Sequence, residues 1–204
     1  GEYIEFMAPG VIILTAIFTS IFGGVNTLWD RRYGFMNKAL TSPISRSAIA
    51  LGKMSAISLI AALQASLIIG IALAIGVTFP NPLMIIPIMG IVILFSLGFS
   101  GISVTLAATA KSQETFWGMI NLLGMPLFML SPALFPLELL PNWLAVVAKL
   151  NPVTYTVLLV RELMTGVSEG GVPILISIAV IFAFVLAMVA IASYVFTREV
   201  NKPF

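Results

Sequence analysis

The sequence predicts an all-α, polytopic membrane protein. Apolar residues make up 60% of the chain and charged residues 9%, where ordinary soluble domains carry about 25% charged residues. Mean hydropathy is +1.12. The few charges are not scattered but gathered into patches between long apolar runs, as in cytoplasmic loops joining membrane helices. The largest patch runs from Asp30 through Arg46 to Lys53 and holds five of the ten basic residues: Arg31, Arg32, Lys38, Arg46 and Lys53.

A bilayer core requires about 20 apolar residues in a helix, and five segments approach that length. The first spans about 9–29, with Pro9 suited to a first helical turn. The second spans 47–78 and is long enough to tilt; Phe79-Pro80-Asn81-Pro82 then forms a turn. The third spans 83–110 and ends at the polar break Lys111-Ser112-Gln113-Glu114. The fourth spans 115–130 and loses its clean pattern at Pro126 and Ser131-Pro132. The fifth spans 173–196. Together they make one transmembrane domain over 1–204.

Five spans put the two ends of the chain on opposite faces. One face then holds Arg31, Arg32, Lys38, Arg46, Lys53, Lys111, Arg198 and Lys202, the other Lys149 and Arg161. Basic residues concentrate on the cytoplasmic side, so the loop at 30–46 and the C-terminus are expected inside. The chain opens Gly1-Glu2 without methionine, and its first span starts outside. Both features point to a further span upstream and six in the full protein.

Residues 131–171 are too apolar for a solvated loop and too broken by proline for one span. Pro141 to Leu150 forms a short helix with Trp143 at headgroup level and Lys149 snorkelling. Asn151-Pro152 ends it, because the residue before proline avoids helical geometry. Val153 to Thr165 forms a second helix, with Arg161 and Glu162 expected as a local ion pair. Backbone broken at membrane depth is tolerated where protein buries it or a cavity borders it. The pair is therefore expected as an external re-entrant hairpin, a lid over a permeation path. A single span over 146–165 would bury Lys149, Pro152, Arg161 and Glu162 at high cost.

Several function classes are disfavoured. The chain has no cysteine and no histidine, which removes thiolate metal sites and the commonest general base and metal ligand. No catalytic residue and no metal site is expected. No carboxylate lies near a span centre, as a proton-coupled carrier usually requires. No phosphate-binding glycine loop followed by Lys and Ser/Thr is present, so the chain has no ATP site of the usual kind. Asn26, Gln64 and Asn121, with the serines and threonines of the spans, are expected mainly to hydrogen-bond between helices. Gly23, Gly24, Gly70, Gly76, Gly90, Gly98 and Gly101 permit close helix approach.

Three blocks carry a family resemblance. The first is Phe6-Met7-Ala8-Pro9-Gly10. The second is Trp29 to Phe35, followed by Leu40-Thr41-Ser42-Pro43-Ile44-Ser45-Arg46 and Leu51-Gly52-Lys53. The third is Phe135-Pro136-Leu137-Glu138-Leu139-Leu140-Pro141-Asn142-Trp143, followed by Leu150 to Tyr155 and Arg161. In this order they resemble the membrane subunit of type-2 ATP-binding-cassette (ABC) exporters, especially the drug-resistance branch.

The resemblance implies a permease that moves a hydrophobic or amphipathic molecule, drug-like or lipid, out across the plasma membrane. It implies two permease copies, identical or different, and two separate ATPase subunits that hold the ATP and magnesium. The first cytoplasmic loop would be a coupling helix seated on the ATPase, through Asp30, Arg31, Arg32, Tyr33, Gly34, Phe35, Lys38, Leu40, Pro43 and Arg46. The external lid would use Phe135, Pro136, Glu138, Pro141, Trp143, Asn151, Pro152 and Arg161. The family usually places an acidic residue soon after the loop glycine; here the run is Gly34-Phe35-Met36-Asn37-Lys38, leaving Asp30 as the acidic contact. The basic residues also suit an anchor against anionic lipid, worth about 1 kcal/mol each. Export of a polysaccharide or lipid-linked glycan is the alternative cargo reading. A secondary carrier, an intramembrane enzyme and an inert scaffold are the alternatives from other classes.

Overall fold

The computed structural model describes residues 2–77, 80–131, 133, 141–168 and 171–199. Every long element among them is helical: α1 (Glu2–Arg32), α2 (Phe35–Leu40), α3 (Arg46–Ala74), α4 (Ile85–Thr109), α5 (Gln113–Met129), α6 (Asn142–Leu150), α7 (Pro152–Thr165) and α8 (Ile174–Glu199). Four of these, α1, α3, α4 and α8, are long and apolar enough to cross a bilayer. Helix α5, at 17 residues, sits at the short limit of a spanning helix.

The first helix begins earlier than its composition suggests. Pro9 was expected in a first turn, but α1 starts at Glu2 and takes Pro9 into its interior. A proline there leaves one carbonyl of the preceding turn without its helical partner. At the other end of the second span, the helix stops at Ala74; Gly76, at φ 94°, takes the left-handed backbone that glycine adopts freely.

Helix α4 is the hub, packing against α1, α3 and α8. Its buried stripe of Ile88, Val92, Phe95 and Phe99 joins Ile12, Ile13 and Ile17 of α1 and Ala61, Ala65 and Ile69 of α3 in one core. Small residues set the distances. A Cβ at Gly24 of α1 would lie 2.6 Å from the carbonyl oxygen of Ser103 on α4, and one at Gly98 2.7 Å from the Phe184 ring of α8. Gly70 and Gly90 meet no described atom within 4 Å, so they are not used for packing within the subunit.

Buried hydroxyls bind the same helices. The Ser103 hydroxyl donates to the Ser20 carbonyl of α1 (2.7 Å), Ser58 of α3 to the Ile93 carbonyl of α4 (2.5 Å), and Thr19 of α1 to the Gln64 side chain of α3. Gln64 is thus a helix-to-helix link, as expected of polar groups with no water to bond. Asn26 and Asn121 are exposed. On α3, Leu59, Leu63, Leu67 and Ile71 face outward one turn apart, an apolar outer face suited to lipid.

Candidate coupling surface and opposing hairpin

One end of the bundle gathers the basic residues. Helix α1 closes at Arg32, and Gly34, at φ 76°, reverses the chain into α2. That left-handed turn requires a residue without the Cβ penalty. The hydroxyls of Thr41 and Ser42 donate back to the Lys38 carbonyl (2.9 Å) and the Ala39 carbonyl (2.6 Å), finishing α2. Ser45 then caps α3, accepting from the Ala48 amide at 3.3 Å.

The side chains of this segment divide into two sets. Arg31 turns inward and donates to the carbonyls of Ala107 (2.6 Å) and Ala110 (3.2 Å), at the C-terminus of α4, with Glu199 of α8 adding an opposite charge nearby. Arg46 donates to the Thr197 carbonyl of α8 at 3.1 Å. Lys53 of α3 pairs with Asp30 of α1. These groups fasten the ends of α1, α3, α4 and α8 together. Cations at helix C-termini also meet the negative end of the helix dipole.

The second set faces out. Tyr33 is 66% exposed, Phe35 58% and Ile44 56%, and Arg32, Lys38 and Pro43 are exposed beside them. The Tyr33 ring stacks on Trp29 at 5.4 Å between centroids, Arg32 lies over Trp29 at 5.7 Å and Lys38 over Phe35 at 5.8 Å. The result is an aromatic patch edged with positive charge. Directly behind it, Met36, 2% exposed, is buried with Ala50 and Met54 of α3, Val104 and Ala108 of α4, and Ala192 and Phe196 of α8; half-buried Leu40 packs beside them. Helix α2 therefore presents one face outward and plugs the other into the junction of three long helices.

At the other end, α6 and α7 meet at a bend of 84°. Asn151 makes the elbow. Its side-chain carbonyl accepts from the Val153 amide (3.0 Å), capping α7, and its side-chain amide donates to the Leu127 carbonyl of α5 (2.6 Å). Pro152 follows at the first helical position, where no N–H is missed. Thr154 and Tyr155 tie back to the carbonyls of Ala148 (2.6 Å) and Lys149 (2.7 Å). Replacing Asn151 with Ala removes a cap and a buried bond and is expected to cost about 1–2 kcal/mol. Thermal unfolding of the full-length protein in mild detergent checks this; an unchanged midpoint would mean that the elbow does not depend on that side chain.

Helix α6 lies open, exposing Trp143 (70%), Val146 and Leu150 with Lys149, and Pro141 precedes it, exposed. Helix α7 is mostly buried, with Val153, Val157, Val160 and Met164 entering the main core. Arg161 is buried too, its guanidinium 3.9 Å from the centre of the Phe6 ring on α1. The expected Arg161–Glu162 ion pair is not formed, since neighbours in a helix point apart and Arg161 is directed at α1. Phe135, Pro136 and Glu138 lie outside the described residues.

Among the described residues, two apolar grooves flank α5. One, of about 360 Å³, is bordered by Phe99 and Leu106 of α4, Leu123 and Leu127 of α5, and Phe184 and Met188 of α8. The other, of about 320 Å³, runs between Leu122, Pro126 and Leu130 of α5 and Val147, Leu150 and Asn151 of the elbow.

Residues 2–165 match the ABC-2 type transporter family. The chain belongs to that family. The match covers the basic segment, the hub and both helices of the bent pair. Among relatives, the transport permease named ycf38 of Cyanophora paradoxa is 30% identical over 80% of this chain and 57% of its own length. Nodulation protein J of Sinorhizobium fredii is 25% identical over 89% of this chain and 69% of its own. The daunorubicin resistance ABC transporter permease protein DrrB1 of Streptomyces coeruleorubidus is 23% identical over 90% and 66%. The chain spans somewhat over half the length of the ycf38 permeases it matches.

Sequence reasoning placed Arg31 and Arg32 together, and included Phe6 and Met36 within longer runs without giving either a role. Adjacent residues on a helix lie about 100° apart, so one faces the bundle and the other does not. Met36 sits two residues after the loop glycine, but Phe35 beside it is as apolar and lies exposed, so the local sequence does not mark Met36 as buried.

Proposed function

We propose that this chain is the transmembrane permease subunit of an ABC exporter, working as a pair of permease copies in the plasma membrane. A separate ATPase subunit holds ATP and magnesium and docks on the patch of Tyr33, Phe35, Ile44, Arg32 and Lys38. The observation that carries the reading is the two-sided placement of α2. Its outer face offers exposed aromatic rings edged with cations, suited to a partner with an apolar cleft and acidic rim. Its inner face, through Met36, is packed where α3, α4 and α8 meet, so a push on the patch reaches all three. Lipid anchoring alone does not require such a plug.

The basic end is cytoplasmic by the distribution of Lys and Arg, which puts the bent pair α6–α7 on the external side as a lid. The cargo is hydrophobic or amphipathic: the described residues bordering the grooves beside α5 are almost all apolar, with Thr105 and Asn151 the polar ones and no charged side chain among them. One relative is named for daunorubicin resistance, which favours a drug-like molecule or lipid as the first reading over a lipid-linked glycan.

The test is recovery of the full-length protein from native membranes in mild detergent. An ATP-hydrolysing subunit is expected in stoichiometric amount. Phe35→Glu is expected to lower its recovery at least tenfold while leaving the permease folded, because Phe35 is exposed. A protein that purifies alone, or one whose Phe35→Glu variant recovers the ATPase as well as the unsubstituted protein, would overturn the docking reading.

A further inference from the structure

Helix α1 runs unbroken for 31 residues, about 46 Å, from the bent pair at one end to the docking patch at the other. At its far end it packs along α7, and two contacts there are specific in geometry. The Phe6 ring covers the buried Arg161 guanidinium of α7 at 3.9 Å. One turn on, a Cβ at Gly10 would fall on the carbonyl oxygen of Ala133, itself fully buried ahead of α6. Glycine therefore lets the helix backbone and the Ala133 backbone touch directly. A cation held against an aromatic face away from water is a strong, orientation-dependent contact. A backbone-to-backbone contact with no side chain between allows little slack.

We propose that Phe6 and Gly10 form a clasp through which α1 moves the hairpin when the docking patch is displaced. They are positioning residues for transport, acting through Arg161 and Ala133. The proposal rests on the permease reading given above. It assigns the two contacts that convert movement at the ATPase into movement of the lid. Packing alone would make α7 one more buried helix, whose attachment to α1 any apolar residue at position 6 would serve. The aromatic face over a buried cation makes a narrower demand.

The experiment uses the full-length protein with its ATPase partner in lipid vesicles. These 204 residues contain no cysteine; with any cysteine elsewhere in the complex replaced, Val146→Cys on the exposed face of α6 can carry a fluorophore there. ATP is expected to change its emission. Phe6→Ala is expected to shrink that change at least fivefold while ATP hydrolysis stays within twofold, and Phe6→Tyr, which keeps the ring, to restore it. An undiminished change in Phe6→Ala overturns the clasp, and so does failure of Phe6→Tyr to restore it. So too does a parallel fall of hydrolysis and signal in Phe6→Ala. A complex that hydrolyses ATP with no response at position 146 overturns the clasp and leaves the permease reading standing. A protein with neither ATPase partner nor ATP response overturns the permease reading and the clasp with it.

Discussion

Reversing the charge at Arg31 is expected to unfold the basic end of the bundle, whereas reversing it at Arg32 is expected to leave the fold intact and weaken docking. The Arg31 guanidinium donates to two carbonyls at the end of α4, at 2.6 and 3.2 Å, with Glu199 near it. Hydrogen bonds from charged donors contribute about 1.5–3 kcal/mol when partly buried. Arg31→Ala should therefore cost about 2 kcal/mol. Arg31→Glu should cost more, on the order of 3–5 kcal/mol, because it sets a carboxylate against carbonyl oxygens, the negative end of the α4 dipole and another acid. Arg32 is exposed and lies over Trp29; exposed charges contribute at most about 1 kcal/mol to folding. Thermal unfolding in detergent and recovery of the ATPase subunit, measured on the same preparations, separate the two roles. Arg31→Glu melting like the unsubstituted protein while losing its partner would make Arg31 a docking residue after all.

The second large effect is expected at Gly24. Its missing side chain lets α1 approach α4 until a Cβ would stand 2.6 Å from the Ser103 carbonyl oxygen and 2.7 Å from the Ser103 Cβ. The neighbouring obstacle is backbone, which cannot swing aside. Gly24→Val would force the helices apart and break the 2.7 Å bond from Ser103 to the Ser20 carbonyl. Overpacking costs about 1–3 kcal/mol and sometimes more; the Ser103 hydroxyl keeps its bond to the Ser100 carbonyl, so the packing cost dominates. The variant is expected to accumulate poorly in membranes and to melt well below the unsubstituted protein. Gly70→Ala is the control: no described atom lies within 4 Å of its Cβ, and alanine favours helix by about 1 kcal/mol. Equal stability of Gly24→Val and Gly70→Ala would show that the α1–α4 approach is not needed.

Glycine's role at 24 and its idleness at 70 look alike in the sequence. Both sit in apolar helices, and both were expected to permit close approach. What separates them is which face of the helix meets a neighbour, and that depends on how the helices assemble. The polar residues behave the same way. Gln64 bonds across to Thr19 while Asn26 and Asn121 are exposed, although nothing in their local context distinguishes them.

The sequence by itself determined what local chemistry controls. Composition established a helical membrane protein, because a bilayer admits only chains that satisfy their backbone internally. Asn151-Pro152 marked the elbow, because backbone preferences there act within two or three residues. Tertiary structure alone decided which charges serve the fold and which face outward. Arg31 and Arg32 are identical in type and adjacent in sequence, yet the helix turn sends one to the carbonyls of α4 and the other outward. Arg161 found Phe6, not Glu162, because helix geometry parts sequence neighbours and packing joins residues far apart in the chain.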